Sequence, residues 1–301
     1  MSEKIDVLIP AYNSASFITK CVSSIQNQTY KDINIIIVDD GSKDNTYEVL
    51  SELAKNDLRI KLYQKENQKS VAKTRNFLLD KIESDYFIFV DSDDDVSPYY
   101  IEHLYKALKD NNAMMSTCEY SIFKAKKKKK IKGLKMFDSI MAIPEFILGK
   151  RGHFMLWNKL TATSLIKNIR FEEYLHFGED MFFCLDIVRD NSFKIASIKN
   201  KLYHYKLSNG SSISKGGLNN SKKALLDQMI KAEQENRYAN DTNALTTWIY
   251  ITAKLYRVLA RLHKKDKDYR PFLNQVIKDR KSHFKKDKRV KLRYRLLMKI
   301  I

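Results

Sequence analysis

Cysteine is scarce and poorly placed for its usual structural uses. The 301-residue chain holds three, Cys21, Cys118 and Cys184, each isolated in an apolar stretch. An odd, scattered set builds no disulfide framework, and without CxxC or Cys/His spacing it builds no zinc site. Three buried free thiols, as in a cytosolic protein, are expected. Long apolar runs are missing too. Nothing approaches the ~18 consecutive apolar residues of a bilayer span. The run from Val7 to Ala11, behind a polar start, is too short for a signal-peptide core. Membrane contact, if any, is expected to be peripheral and on the cytoplasmic side. No internal repeat is present.

Acidic residues are also short in number, and unevenly so. The formal net charge is +19, yet from Lys222 onward 22 of the 55 Lys and Arg face only 8 of the 36 Asp and Glu. The first 221 residues are therefore close to balance. With an ordinary 44% of hydrophobic residues, the chain is long enough for one α/β domain plus an appendage. The expectation is a domain over residues 1–221 and a basic helical region over 222–301. A tail of that charge seeks a polyanion.

The first 120 residues alternate strand and helix patterns. Ile5 to Ile9 reads as a strand stopped by Pro10, and Ser14 or Ser16 can cap a helix to about Asn27. Ile33 to Val38 is the β-branched run of a strand buried on both faces. Helix from Thr46 to Lys55, strand from Arg59 to Tyr63, helix from Val71 to Ile82 and strand from Tyr86 to Val90 follow. Pro98 can open a helix to Leu108, and Ala113 to Tyr120 is strand-like. Such alternation implies a mostly parallel, Rossmann-like sheet with covering helices. Beyond it, Lys124 to Lys135 is a lysine-rich loop, Phe137 to Gly149 reads as helix, and Lys201 to Tyr205 reads as strand.

Ligands of such sheets sit beyond the carboxyl ends of the strands. That rule singles out Pro10 to Asn13, Asp39 to Ser42 and Asp91 to Asp95, three polar segments that each follow a strand. Asp91-Ser92-Asp93-Asp94-Asp95 packs four carboxylates into five positions. They repel one another unless a cation or hydrogen-bond donors offset the charge. A hard divalent ion, Mg²⁺ or Mn²⁺, fits an all-oxygen set. A plain solvated turn is the alternative. An EF-hand is not, because Val96 stands where the loop needs glycine and Pro98 interrupts it.

Val7-Leu8-Ile9-Pro10-Ala11-Tyr12-Asn13, Val38-Asp39-Asp40-Gly41-Ser42, Arg75-Asn76 and Asp91-Ser92-Asp93-Asp94 come in order along the chain. Trp157-Asn158-Lys159 and Glu179-Asp180 follow them. Together they resemble the motifs of family-two, inverting glycosyltransferases with the GT-A fold, over roughly residues 4 to 215. The resemblance implies a nucleotide-sugar-binding half over 1–120 and an acceptor-side half over 136–221. It implies a UDP-sugar donor, a surface-glycan, glycolipid or lipid-linked acceptor, and Mn²⁺ or Mg²⁺ as cofactor. By the same resemblance Pro10, Ala11, Tyr12 and Asn13 cradle the nucleoside, and Asp39, with Asp40 beside it, reads the uracil edge. Arg75 faces the diphosphate, and Asp91 to Asp94 hold the donor, with Asp91 and Asp93 as the metal-binding DxD pair. Asp180 is the catalytic base, Trp157, Lys159 and Glu179 stand on the acceptor side, and His204 is a further candidate at the metal or diphosphate. Taken alone, Asp180 reads more readily as a helix cap and His204 as a structural residue. The stretch Gln68 to Thr74 lacks the glycines usual before the Arg-Asn pair, and Phe77 stands where a small residue is common. A non-catalytic sugar-nucleotide-binding or polysaccharide-binding protein on the same fold is the alternative function.

In the basic region, Leu245, Trp248, Ile249, Leu255, Leu259 and Leu262 fall at helical spacing, a stripe suited to packing on the domain or on another copy. Residues 287–301 mix Leu292, Leu296, Leu297, Ile300 and Ile301 with Lys291, Arg293, Arg295 and Lys299. That pattern suits an anionic membrane surface. No zinc-ligand spacing or aromatic RNA-binding motif accompanies it, so nucleic acid is not an expected partner.

Overall fold

The computed structural model describes residues 3–122, 130–138, 155–175, 178–190 and 192–206, and residue 231. The basic region from 222, residue 231 excepted, the lysine run at 126–129 and residues 139–149 of the expected helix lie outside the described residues. Nine strands are present among those described: β1 (Ile5–Ala11), β2 (Ile33–Asp39), β3 (Ile60–Gln64), β4 (Tyr86–Phe89), β5 (Asp95–Val96), β6 (Met115–Ser121), β7 (Lys135–Asp138), β8 (Lys159–Ala162) and β9 (Lys194–His204). Helices α1 (Ala15–Gln26), α2 (Thr46–Asn56), α3 (Val71–Leu79) and α4 (Tyr100–Lys109) lie among the first strands, and α5 (Glu179–Asp190) precedes β9.

The sheet order is β3-β2-β1-β4-β8-β6-β9-β5, with β7 added on β9. Strands β1 to β4 are mutually parallel. Beyond β4 the sheet is mixed: β8 runs antiparallel to both β4 and β6, β6 and β9 are parallel, and β5 and β7 are antiparallel to β9. The expected mostly parallel sheet is thus correct for the first half alone. The α/β class stands, with a mixed sheet and flanking helices consistent with GT-A.

Both faces of the central strands are covered, which is why their sequences are continuously apolar. Successive side chains alternate between the faces. Leu8, Ile36 and Val38 enter one core with Ala72 and Leu78 of α3 and Phe182 and Phe183 of α5. Val7, Ile9, Ile35 and Ile37 enter the other with Ile18 and Val22 of α1 and Leu104 of α4. Asp6, wholly buried in β1, accepts from Asn34 Nδ2 at 2.7 Å, the Glu83 and Ser84 amides at 2.7 and 2.9 Å, and Ser84 Oγ at 2.7 Å. It pins the turn entering β4.

Three boundaries depart from expectation. Strand β1 passes through Pro10 to Ala11. Its pairing with β4 ends at Leu8, so the missing proline N–H costs no bond on that side. Phe137, expected in a helix, lies in strand β7 opposite Ile195. Met136 and Phe137 pack into opposite cores, the period of two that marks a strand. The expected strand from Lys201 to Tyr205 is the end of the 11-residue β9, whose exposed Lys199 and Lys201 alternate with buried neighbours. All three cysteines are free and buried, and among the described residues no helix is long and apolar enough to cross a membrane.

Candidate active site

A cleft of about 680 Å³ opens at the carboxyl ends of β1, β2 and β4, the place the strand pattern singles out. Pro10 to Asn13, Asp40, Arg75, Asp91 to Asp93 and Glu179 line it, together with Phe17, Asn67, Lys69 and Ser70. The loops that form it are tied to one another. The Asn13 amide donates to Ser42 Oγ at 2.9 Å, and Asn13 Oδ1 accepts from the Lys43 amide at 2.8 Å. Gly41 sits at φ +65°, where a Cβ would lie 2.7 Å from the Asn67 amide nitrogen. Only glycine meets both demands.

The two aspartates at the carboxyl end of β2 divide their work. Asp39 is wholly buried and accepts from the Ser42 hydroxyl, from the Ser42 amide at 3.2 Å and from Gln64 Nε2 at 3.4 Å. Asp40 faces the cleft in an ion pair with Lys65.

The acidic turn after β4 divides in the same way. Asp91 and Asp93 are half-buried and face the cleft. Asp94 is turned inward, accepting from the Tyr203 hydroxyl and the Lys206 amide, each at 2.7 Å. Asp95 is held by Lys20 at 2.7 Å and His204 Nδ1 at 2.8 Å. Burial pushes the Asp94 carboxyl up to about 8, and the Asp91 charge adds to the shift. Burial raises Asp91 to about 6; Arg75 pulls the other way, while Asp93 and Glu179 reinforce the rise. Burial raises Asp93 as well. Asp95 goes down, because Lys20 and His204 outweigh its burial.

Arg75, on α3, reaches across to Glu179 at the start of α5 and stands 3.6 Å from Asp91. Burial works against its charge, but Glu179, Asp91 and Asp180 together hold it protonated more firmly than usual. Its Nε is buried without a hydrogen-bond partner. Asp180 is half-buried beside Glu179, and its Oδ1 accepts from the Met181 amide at 2.8 Å. Burial, then the Glu179 charge, push its carboxyl up to about 7, suited to taking a proton near neutrality.

Trp157 and Lys159, expected on the acceptor side, are buried. The Trp157 ring stacks on Tyr203 with centroids 4.1 Å apart and on Tyr205 at 5.7 Å. Lys159 Nζ donates to the Met155 carbonyl at 2.6 Å and Asn158 Oδ1 at 2.7 Å. Its charge reaches Asp180, where it opposes the upward shift. Asp39, Asp94, Asp180, Trp157, Lys159 and His204 are not among the residues lining the cleft; the other expected site residues are. Tyr203 and Asn67 were not anticipated. From the strand read over Lys201 to Tyr205, the sequence singles out only His204.

A divalent ion fits this chemistry. Burial favours the protonated form of both half-buried carboxylates, and a bound cation would favour the ionised form instead. Among the described residues no three His, Cys, Asp or Glu side chains gather to hold a metal alone. The residues suit an ion shared with a ligand's phosphate oxygens and water. His204 Nε2 is buried and unpartnered, while Nδ1 is fixed by Asp95.

The model of the family "Glycosyl transferase family 2" matches residues 6–177, more than half of the chain. The chain belongs to that family. Among its relatives is glycosyltransferase GlyA of Streptococcus pneumoniae serotype 4, 29% identical over 224 residues, 70% of this chain and 32% of that protein. The chain likewise covers only 38% of pneumococcal GlyG, so it spans about a third of the length of these two curated relatives. A Campylobacter jejuni protein, GalNAc(5)-diNAcBac-PP-undecaprenol beta-1,3-glucosyltransferase, is 27% identical over 91% of this chain and 87% of its own. The crystal structure of Staphylococcus aureus TarS 1-349 in complex with UDP-GlcNAc superposes with a TM-score of 0.70 over 93% of this chain and 81% of that one, at 19% identity. That likeness shows a shared fold.

Proposed function

We propose that the protein is an inverting glycosyltransferase, moving a sugar from a UDP-sugar to a hydroxyl of a surface-glycan, glycolipid or lipid-linked acceptor at the cytoplasmic face of the membrane. The observation that carries the reading is convergence. Asp91, Asp93, Arg75 and Glu179 line one cleft beyond the carboxyl ends of parallel strands, with Asp180 next in sequence to its rim. The Campylobacter relative, whose name includes an undecaprenol diphosphate and a β-linkage, supports the lipid-linked acceptor and the inverted product.

In this reading Pro10 to Asn13 seat the nucleoside against Tyr12, which is 44% exposed and free to stack on a base. Asp39 and Asp40 border the uracil edge. The Arg75 guanidinium orients the diphosphate. Asp91 and Asp93 would hold Mn²⁺ or Mg²⁺, which when bound supplies positive charge to the departing UDP. Asp180 takes the proton of the acceptor hydroxyl as that oxygen attacks the anomeric carbon from the face opposite the leaving group. One in-line displacement inverts the centre. The basic region over 222–301 would keep the enzyme beside an anionic leaflet, or pair copies of the chain through its apolar stripe.

The test is a screen of sugar nucleotides, measuring UDP release with Mn²⁺ or Mg²⁺ and again in excess EDTA. Release from one UDP-sugar, suppressed by EDTA, is expected. Binding of sugar nucleotides with no release in the presence of any acceptor class would favour the non-catalytic alternative. Full turnover in EDTA would remove the metal.

A further inference from the structure

We propose that Tyr203 is a positioning residue that sets the shape of the acidic turn, and through it the metal and diphosphate affinity of the cleft; this rests on the glycosyltransferase reading above. Its hydroxyl makes two bonds to one turn. It accepts from the Asp91 amide at 3.1 Å and donates to Asp94 Oδ2 at 2.7 Å. The turn closes on itself where the Asp94 amide donates to the Asp91 carbonyl at 3.1 Å. The Lys206 amide holds the other Asp94 oxygen at 2.7 Å. Asp91 and Asp93, the two carboxylates that face the cleft, are thus carried on a loop whose two ends are fixed by one phenol.

The phenol is itself held rigidly. Tyr203 is wholly buried in β9, opposite Val96 of β5. Its ring lies between Trp157, stacked at 4.1 Å and 16°, and Tyr100, tilted at 6.0 Å. Tyr100 in turn donates its hydroxyl to the Trp157 carbonyl. A hydroxyl on a ring clamped from two sides has little freedom, so the Asp91 amide and the Asp94 carboxylate are held in one geometry. Ion-binding carboxylates must be placed within about 0.5 Å to be effective. This gives Trp157 a place in the site although it is buried: it supports Tyr203 from behind.

Tyr203→Phe keeps the ring and removes only the hydroxyl. Mn²⁺ binding is read by the loss of the free-ion electron paramagnetic resonance signal, and UDP binding by calorimetry with and without Mn²⁺. The variant is expected to weaken Mn²⁺-dependent UDP binding about tenfold, to raise KM for the donor more than it lowers kcat, and to regain turnover as Mn²⁺ is increased. A merely structural loss would not respond to the ion. Tyr105→Phe, which removes a hydroxyl bonded to Glu3 at 3.0 Å far from the turn, is the control and should bind as the wild type does. If Tyr203→Phe fails to fold, Asp94→Asn decides, since it removes one acceptor oxygen of the same bridge and should show the same ion-dependent defect. Wild-type-like Mn²⁺ and UDP binding in the folded variant overturns the positioning role alone. Wild-type protein that binds no UDP in Mn²⁺ overturns the function proposed above, and this role with it.

Discussion

The two halves of the sheet obey different rules of assembly. Strands β1 to β4 pair in parallel through helical crossovers close in sequence, and their loops supply most of the lining of the cleft. Strands β6 to β9 pair across long gaps. Met115 of β6 lies beside Ile195 of β9, and β8 enters antiparallel between β4 and β6. That half delivers Glu179, Asp180 and Tyr203. In the function proposed above, the first half is a scaffold whose rim binds the donor, and the second adds the groups that act on it. Perturbing each in turn should separate binding from transfer.

The largest separation is expected at Asp180. Asp180→Asn should lower sugar transfer by ~10²–10⁴ while UDP-sugar affinity stays close to wild type, measured by product formation and calorimetry. Near-normal turnover would place the base elsewhere. The contact between the halves comes next. Arg75→Ala leaves the buried Glu179 without its cation and should cost about 3 kcal/mol in denaturant unfolding, with donor binding lost as well. A loss confined to binding would mean that the pair contributes little to holding the halves together.

Within the first half, Asp6→Ala strips the partners of Asn34, Glu83 and Ser84 at once and should cost about 2–3 kcal/mol. Assayed well below its melting temperature, the variant should keep its donor KM, because Asp6 lies at the opposite end of β1 from the cleft.

The pH profile is a finer probe. With the Asp180 carboxyl up at about 7, kcat should fall about tenfold per unit as pH drops below that value, since only the ionised form accepts a proton. Its effect on stability has the opposite sense. A folded-state value above the ordinary 3.8 favours the fold at low pH, and this contribution is lost as pH rises through about 7. Asp180→Asn should therefore melt no lower than wild type at pH 8, and a clear drop there would mean that the carboxylate stabilises the fold. Smallest is Gly41→Ala, expected to cost about 1 kcal/mol through its positive φ and to weaken nucleotide binding by displacing Asn67. Unchanged affinity would show that the loop yields without disturbing the rim.

The same division explains what the sequence made legible. The continuous apolar runs of β2 and β4 and the polar segments after them locate the first half and its rim, because local periodicity and the carboxyl-end rule suffice there. In the second half the signals are tertiary. Strand β8 has four residues, all buried, and begins with a lysine whose ammonium finds a backbone carbonyl and an amide. The helix expected from Phe137 overlaps only the last two residues of β7, and only the covered faces on either side show that Met136 and Phe137 point apart as strand neighbours do. The acidic turn could be recognised as a cluster. Its division into two open and two inward carboxylates depends on Tyr203, Lys20 and His204, which arrive from distant parts of the chain.

The ion pair between Arg75 and Glu179 spans 104 residues. At ribosomal rates of ~5–20 residues per second, the carboxylate emerges about 5–20 s after the guanidinium it neutralises. During that interval β1 to β4 are already complete, yet burying Arg75 without Glu179 is unfavourable. A chain that carries β1 to β4 but not Glu179 thus has the rim of the cleft without the carboxylate that pairs with Arg75. A chain released before Glu179 would leave the Arg75 guanidinium with Asp91 but without the carboxylate that pairs with it most closely.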